Sequence, residues 1–176
     1  SMLDVIALRV DKHETLEMFA ANSSVPVINA LSDLSHPCQI LADLMTFKEN
    51  SANELEKVCW IGDGNNVCNS YVEASKILDF ELSIYCPKEY SPDPSFLNYA
   101  KENSSFANSR EEAAKGADII TTDVWVSMGD EKTKERAFEG YFVDTDLIEN
   151  TGKKSIFLHC LPAHRGQEIT FELMEH

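Results

Sequence analysis

Val58-Cys59-Trp60-Ile61-Gly62-Asp63-Gly64-Asn65-Asn66 decides how this 176-residue chain reads. Four consecutive apolar residues run directly into two glycines and two asparagines. From about Asn66 to Leu78 the apolar residues return at helical spacing. A short apolar run, a glycine turn and an amphipathic stretch together predict a buried strand, a tight turn and a helix.

The same alternation extends outward in both directions. Towards the C-terminus, strands are expected at Leu82–Tyr85, Ala117–Thr121 and Phe157-Leu158, with helices over Phe96–Glu102 and Arg110–Lys115. Towards the N-terminus, strands are expected at Val5–Leu8 and Val25–Ile28, with helices over Thr15–Ala20 and Pro37–Glu49. Pro37 suits a first helical turn, where its missing N–H has no partner to lose. The predicted fold class is α/β: an open parallel sheet covered by helices, plus the end of a second α/β domain. The polar stretch Asn50–Glu54 breaks the pattern, so the chain divides into residues 1–49 and 50–176.

Composition narrows the function. Hydrophobic residues make up 43% of the chain, enough for a packed core. A formal net charge of -15 argues against a nucleic-acid partner, because phosphate backbones attract basic surface. No apolar run approaches the roughly 20 residues that a membrane-spanning helix needs, so no membrane partner is expected. The cysteines number five and include no Cys-x-x-Cys pair, which points to unpaired thiols in a reducing, cytoplasmic setting.

In parallel sheets, ligands bind beyond the carboxyl ends of the strands. Three strands here run into unusual polar sequences: Gly62–Asn66, Asp123–Gly129 and His159–Gly166. Each has a plainer reading. Gly62 and Gly64 fit a dinucleotide turn or merely a tight one, and Val67 stands where the nucleotide fingerprint has its third glycine. Asp123 also fits a turn cap. Cys160, with His159 and His164, fits a buried thiol, a Cys–His nucleophile or too small a metal set. His36-Pro37-Cys38-Gln39, at a helix start, fits either a helix entry or an anion site with His36 and Gln39 as added donors.

Taken together, these motifs resemble the aspartate/ornithine carbamoyltransferase family, in its ornithine carbamoyltransferase branch. His36-Pro37-Cys38-Gln39 is similar to the family's His-Pro-x-Gln segment. Gly62–Asn66, Asp123–Gly129 and His159-Cys160-Leu161-Pro162 are similar to the segments of its amino-acid half, in the same order. The resemblance implies carbamoyl transfer from carbamoyl phosphate to the δ-amine of L-ornithine, giving citrulline within arginine metabolism. It implies that residues 1–49 end a carbamoyl phosphate domain and that residues 50–176 form most of an ornithine domain.

The resemblance also assigns roles. Arg9, His36, Pro37, Cys38, Gln39, Cys160 and Leu161 would hold carbamoyl phosphate. Asn66, Asp123, Ser127 and Met128 would hold ornithine. Cys160, Asp123 and His36 would be the catalytic groups, with a thiolate or carboxylate accepting the amine proton. It implies no metal, no organic cofactor and a homotrimer for the intact enzyme. The family's Ser-Thr-Arg-Thr-Arg segment and its C-terminal helix are not found in the sequence, so the chain is expected to be an inactive fragment on its own. The competing expectations are an amino-acid-binding module, a carbamoyltransferase for a related amine such as N-acetylornithine, and a nucleotide-dependent oxidoreductase.

Overall fold

The computed structural model describes residues 2–127 and 132–175. Two parallel sheets are built along the chain. In the first, β1 (Ile6–Arg9) pairs with β2 (Val27–Leu31), the connection passing through helix α1 (His13–Ala21). Helix α2 (Pro37–Asn50) then leads into the second sheet.

That sheet holds β3 (Lys57–Ile61), β4 (Glu81–Tyr85), β5 (Ser104–Phe106), β6 (Ile119–Thr122) and β7 (Ile156–His159), all parallel, in the order β5-β4-β3-β6-β7. Helices α3 (Asn66–Leu78), α4 (Pro94–Tyr99), α5 (Arg110–Ala114), α6 (Thr145–Glu149) and α7 (Phe171–Met174) complete it. The chain runs from β3 outward to β5, then returns past β3 to continue with β6 and β7. The strand order therefore reverses between β3 and β6, where a crevice opens above the sheet.

The strands are near-continuously apolar because both faces are covered. Successive side chains of β3 point opposite ways. Val58 and Trp60 join Val67, Tyr71, Val72, Leu82, Ile84 and Ile119 in one core, to which α2 adds Ile40 and Phe47. Cys59 and Ile61 join Ala113, Ala117, Ile120, Val143, Leu147 and Ile169 in the other. Complete burial of a side chain the size of Ile or Val contributes about 1.5–3 kcal/mol, so β3 is the most heavily stabilised strand.

The expected α/β class holds, with differences at the ends of elements. β2 starts at Val27, not Val25, because Pro26 has no N–H to give and instead accepts from Ile6 through its carbonyl at 3.0 Å. β2 continues past the expected end at Ile28 through Asn29, whose amide nitrogen donates to Ser32 Oγ at 3.5 Å and Ser35 Oγ at 3.0 Å. β6 starts two residues late because Asp118 serves as a cap, its carboxylate accepting the N–H groups of Glu56 and Lys57 at 2.9 Å each. α4 begins at Pro94 rather than Phe96, with Asp93 capping it. The sequence reading did not anticipate β5, a polar edge strand, or the short helices α6 and α7, which hold too few residues to show a period.

Gly64 shows why the β3–α3 turn needs glycine. Its N–H donates to the Tyr90 carbonyl at 2.8 Å, and an added Cβ would sit 2.3 Å from Pro92 N and 2.4 Å from Tyr90 O. Both neighbours are backbone and cannot rotate away. Gly64→Ala is expected to destabilise the protein by about 1–3 kcal/mol, the usual range for overpacking. Thermal denaturation followed by circular dichroism checks this; an unchanged Tm would contradict the close approach.

Candidate active site

The crevice between β3 and β6 is where the polar strand ends meet. Asn65 caps α3, its side-chain oxygen accepting the N–H groups of Val67 and Cys68 at 3.0 and 3.2 Å. The capping bonds take the amide oxygen and leave the amide nitrogen free to donate. It does so to Asp123 Oδ2 at 2.7 Å, across the crevice from the end of β6. Asp123 Oδ1 accepts from the Val124 N–H, also at 2.7 Å. The carboxylate is buried, and each of its oxygens has a donor.

Cys160 comes from the adjacent strand end, after β7. Its thiol is hydrogen-bonded to Asp123, and burial followed by the Asp123 charge pushes its pKa far up. Cys160 is therefore a neutral thiol, which leaves the Asp123 carboxylate as the candidate proton acceptor of the two. Leu161 follows at the exposed rim. His159 lies behind Cys160, with Nδ1 at 2.8 Å from the Cys160 carbonyl and Nε2 at 3.1 Å from Glu168 Oε1. Glu168 is fully buried and also accepts the His164 backbone N–H.

Asp123, His159 and Cys160 bring potential metal-ligating atoms within 4.8 Å of one another. Both His159 ring nitrogens already face protein oxygens, and the thiol holds its proton. A metal here would have to displace these hydrogen bonds.

The other wall is the β2–α2 segment. His36 is the N-cap residue of α2, and its backbone N–H donates to Ser70 Oγ at 2.7 Å. Its Nδ1 is buried and has no partner among the described residues. Burial lowers the His36 pKa, the Arg9 charge lowers it further, and Asp123 opposes both. Arg9, from β1, and Asp123, from the end of β6, are thus each within electrostatic reach of His36. Pro37 occupies the first turn, Cys38 donates its thiol to the Asn29 carbonyl at 3.3 Å, and Gln39 donates its amide to Asp43 at 2.9 Å.

Helix α3 ties the two walls together. Asn66 donates to the Ser32 carbonyl at 2.7 Å, and Asn69 donates to the Leu34 carbonyl at 3.0 Å. Asn66 thus stands at the crevice with one amide hydrogen committed to the opposite wall. Ser127 lies just beyond Trp125, whose indole N–H is fixed on the Tyr141 carbonyl at 2.9 Å. Met128, the remaining expected ligand, lies outside the described residues.

Sequence reasoning passed over Asn65, Asp43, Tyr71 and Glu168. Asn65 had a signal, since Asn before a helical run is a strong cap. Asp43 also had one, as an acid four residues after Gln39 on the stripe that buries Ile40 and Phe47. Tyr71 and Glu168 showed nothing in spacing that separates them from ordinary core and surface residues.

Comparison with known proteins shows the family. Residues 55–176 match the family model described as aspartate/ornithine carbamoyltransferase, Asp/Orn binding domain, and residues 1–49 match the carbamoyl-P binding domain of the same family. Among curated relatives, ornithine carbamoyltransferase of Halorhodospira halophila is 46% identical over 99% of this chain and 59% of the relative. That of Acinetobacter baylyi is 47% identical over 100% of this chain and 59% of the relative. The crystal structure of anabolic ornithine carbamoyltransferase from Campylobacter jejuni superposes with a TM-score of 0.91 at 42% identity, covering 99% of this chain and 61% of that one. The Thermus thermophilus enzyme gives 0.85 at 43% identity, covering 96% and 57%. This chain spans about 59% of the length of the curated relatives it matches. By both matched domains and by identity along its whole length, the chain belongs to the aspartate/ornithine carbamoyltransferase family.

Proposed function

We propose that this chain carries the ornithine side, and part of the carbamoyl phosphate side, of an ornithine carbamoyltransferase. The observation that carries the reading is the meeting of one carboxylate, Asp123, with a neutral thiol and a neutral imidazole at a crevice whose opposite wall is a helix N-terminus. Residues 1–49 belong to the carbamoyl phosphate half and residues 50–176 to the ornithine half.

In this reading the phosphate lies towards the start of α2, where the helix dipole favours an anion, with Arg9 adding charge. His36 donates to the carbamoyl oxygen, where negative charge grows in the transition state. Asn66, Asp123, Ser127 and Met128 hold the α-amino and carboxylate groups of ornithine.

The δ-amine enters as a cation, since such amines have a pKa of about 10.4. Asp123 stabilises it and takes its proton, and Cys160 orients the nitrogen without forming a bond to it. The freed lone pair attacks the carbamoyl carbon. The tetrahedral intermediate collapses with cleavage of the carbon–oxygen bond to phosphate, the leaving phosphate takes the second proton from the attacking nitrogen, and citrulline and inorganic phosphate result. The complete enzyme works as a homotrimer in the cytoplasm; exposed Met2, Leu3, Met18 and Phe19 support further covering of the first sheet, and five unpaired thiols suit a reducing compartment.

The test is citrulline formation from carbamoyl phosphate and L-ornithine by the subunit its gene encodes, beside the 176-residue chain. The gene-encoded subunit is expected to turn over. Asp123→Asn should lower its kcat by about 10²–10⁴-fold, the usual contribution of a general base. The 176-residue chain alone should be inactive. Absence of citrulline from the gene-encoded subunit overturns the reading, and equal turnover by both proteins overturns its last part.

A second expectation concerns Cys160. Because its folded pKa is raised, the thiolate is scarce at neutral pH and becomes populated only in strong alkali. Alkylation by iodoacetamide, followed by mass spectrometry, should be far slower at Cys160 than in a short cysteine peptide at pH 8, and should still be rising at pH 10. A rate that levels off below pH 8 would show a thiolate and reassign the proton acceptor.

A further inference from the structure

The buried carboxylate of Asp43 takes no part in the steps above, yet it lies directly under the site. It sits one helical turn after Gln39 on α2 and is 7% exposed. Its Oδ1 accepts from Gln39 Nε2 at 2.9 Å, and its Oδ2 accepts from the Tyr71 hydroxyl at 2.7 Å. Tyr71 is wholly buried on α3, its ring tilted against Trp60 at 5.8 Å, and its hydroxyl also meets Thr121 on β6. One side chain thus links α2, α3 and, through Tyr71, the strand that ends in Asp123. Cys160 feels the Asp43 charge as well as that of Asp123.

The chemistry of this contact is directional. An ionised carboxylate offers only acceptors, so the Gln39 amide cannot turn end for end without setting oxygen against oxygen in a buried space. Its nitrogen must face Asp43, and its carbonyl oxygen must face away. Burial raises the Asp43 pKa, and the bonds from Tyr71 and Gln39 offset only part of that rise. With Gln39 Nε2 donating to one Asp43 oxygen and the Tyr71 hydroxyl to the other, both carboxylate oxygens are held as acceptors. This revises the expectation that Gln39, like His36, donates to a carbonyl oxygen: its outward end is an acceptor.

We propose that Asp43, held by Tyr71, is a positioning residue that locks the Gln39 amide with its oxygen towards the acyl group, so that the site selects an acyl phosphate bearing –NH2 over one bearing a methyl group. The inference rests on the reading of His36–Gln39 as the carbamoyl phosphate segment. It assigns discrimination to a side chain that does not touch the ligand.

Calorimetric titration of the gene-encoded subunit with carbamoyl phosphate and with acetyl phosphate tests it, since acetyl phosphate replaces only the –NH2 group. The wild type should prefer carbamoyl phosphate by at least about ten-fold, because an acceptor built for an N–H is left unpaired by a methyl group. In Asp43→Asn the neighbouring group can offer either N–H or oxygen, Gln39 can turn, and the preference should fall to near unity while acetyl phosphate binding stays close to its wild-type value. Equal weakening of both ligands, with the preference kept, would mean a merely structural role and overturn the inference.

A wild type that binds both ligands equally overturns this inference alone; one that binds neither overturns the reading of the site and this inference with it. Should Asp43→Asn fail to fold, the wild type decides by nitrogen-15 NMR of the Gln39 side chain. One amide proton shifted downfield and slow to exchange is expected, and a pair resembling exposed glutamine would overturn the proposal.

Discussion

Everything at the site depends on the position of β3 between β4 and β6. From β3 the chain first moves outward through β4 to β5, then crosses back to lay down β6 and β7 on the other side. The connections leave in opposite directions at this seam, so no single connection fills the space above it. Each strand is parallel to its neighbours, so Gly62–Asn66, Asp123 and Cys160 arrive at the same edge without any local sequence having to arrange it. What local sequence contributes is narrower. Gly64 lets the first loop pass close to the Tyr90–Pro92 backbone, and Asn65 converts a helix cap into a donor reaching across the seam.

The electrostatics follow from how unequally the groups at this edge are supported. Asp123 accepts a hydrogen bond at each oxygen, so its carboxylate is held in place. Cys160 sits against that charge in a largely dry setting and keeps its proton. His36 is buried and near Arg9, which favours its neutral form. The outcome is one anion flanked by two uncharged polar groups, an arrangement suited to a cationic amine on one side and a polarised carbonyl on the other. Beneath them, Asp43 is a second carboxylate whose two oxygens are both occupied by donors, so it acts on the geometry of α2 rather than on a proton in transit.

Much of this was legible in the sequence because it depends on order and apolar content. The strand-turn-helix reading of Val58–Leu78 needed only the run from Val58 to Ile61 and the glycines after it. The polar strand ends identified Asp123 and Cys160 as neighbours, given parallel strands. What stayed hidden depended on features that leave no periodic trace. The extension of β2 through Asn29 to Leu31 was not expected, because Asn29 is polar and ends the apolar run. β5 is polar because it is an edge, with one neighbour and a solvent side. Glu168 reads as surface charge in sequence, yet it is fully buried because His159 and the His164 N–H converge on it. Asn65 and Asn66 are adjacent and chemically identical. Only the direction of the helix start separates them, with Asn65 turned to Asp123 and Asn66 to Ser32.

The bonds from Asn66 and Asn69 to the carbonyls of Ser32 and Leu34 are asymmetric in one further respect. The donors are specific side chains on α3, whereas the acceptors are peptide oxygens that any amino acid would supply. Over evolutionary time the two partners in this clasp are exposed to mutation very differently. At Leu34 the accepting residue can change while the clasp persists, whereas Ser32 is buried and its hydroxyl also bonds His13 and Ser35. The asparagines cannot be exchanged without releasing the clasp. The alignment of the two walls is thus carried by the side chains of one helix and by the path, rather than the acceptor side chains, of the facing loop.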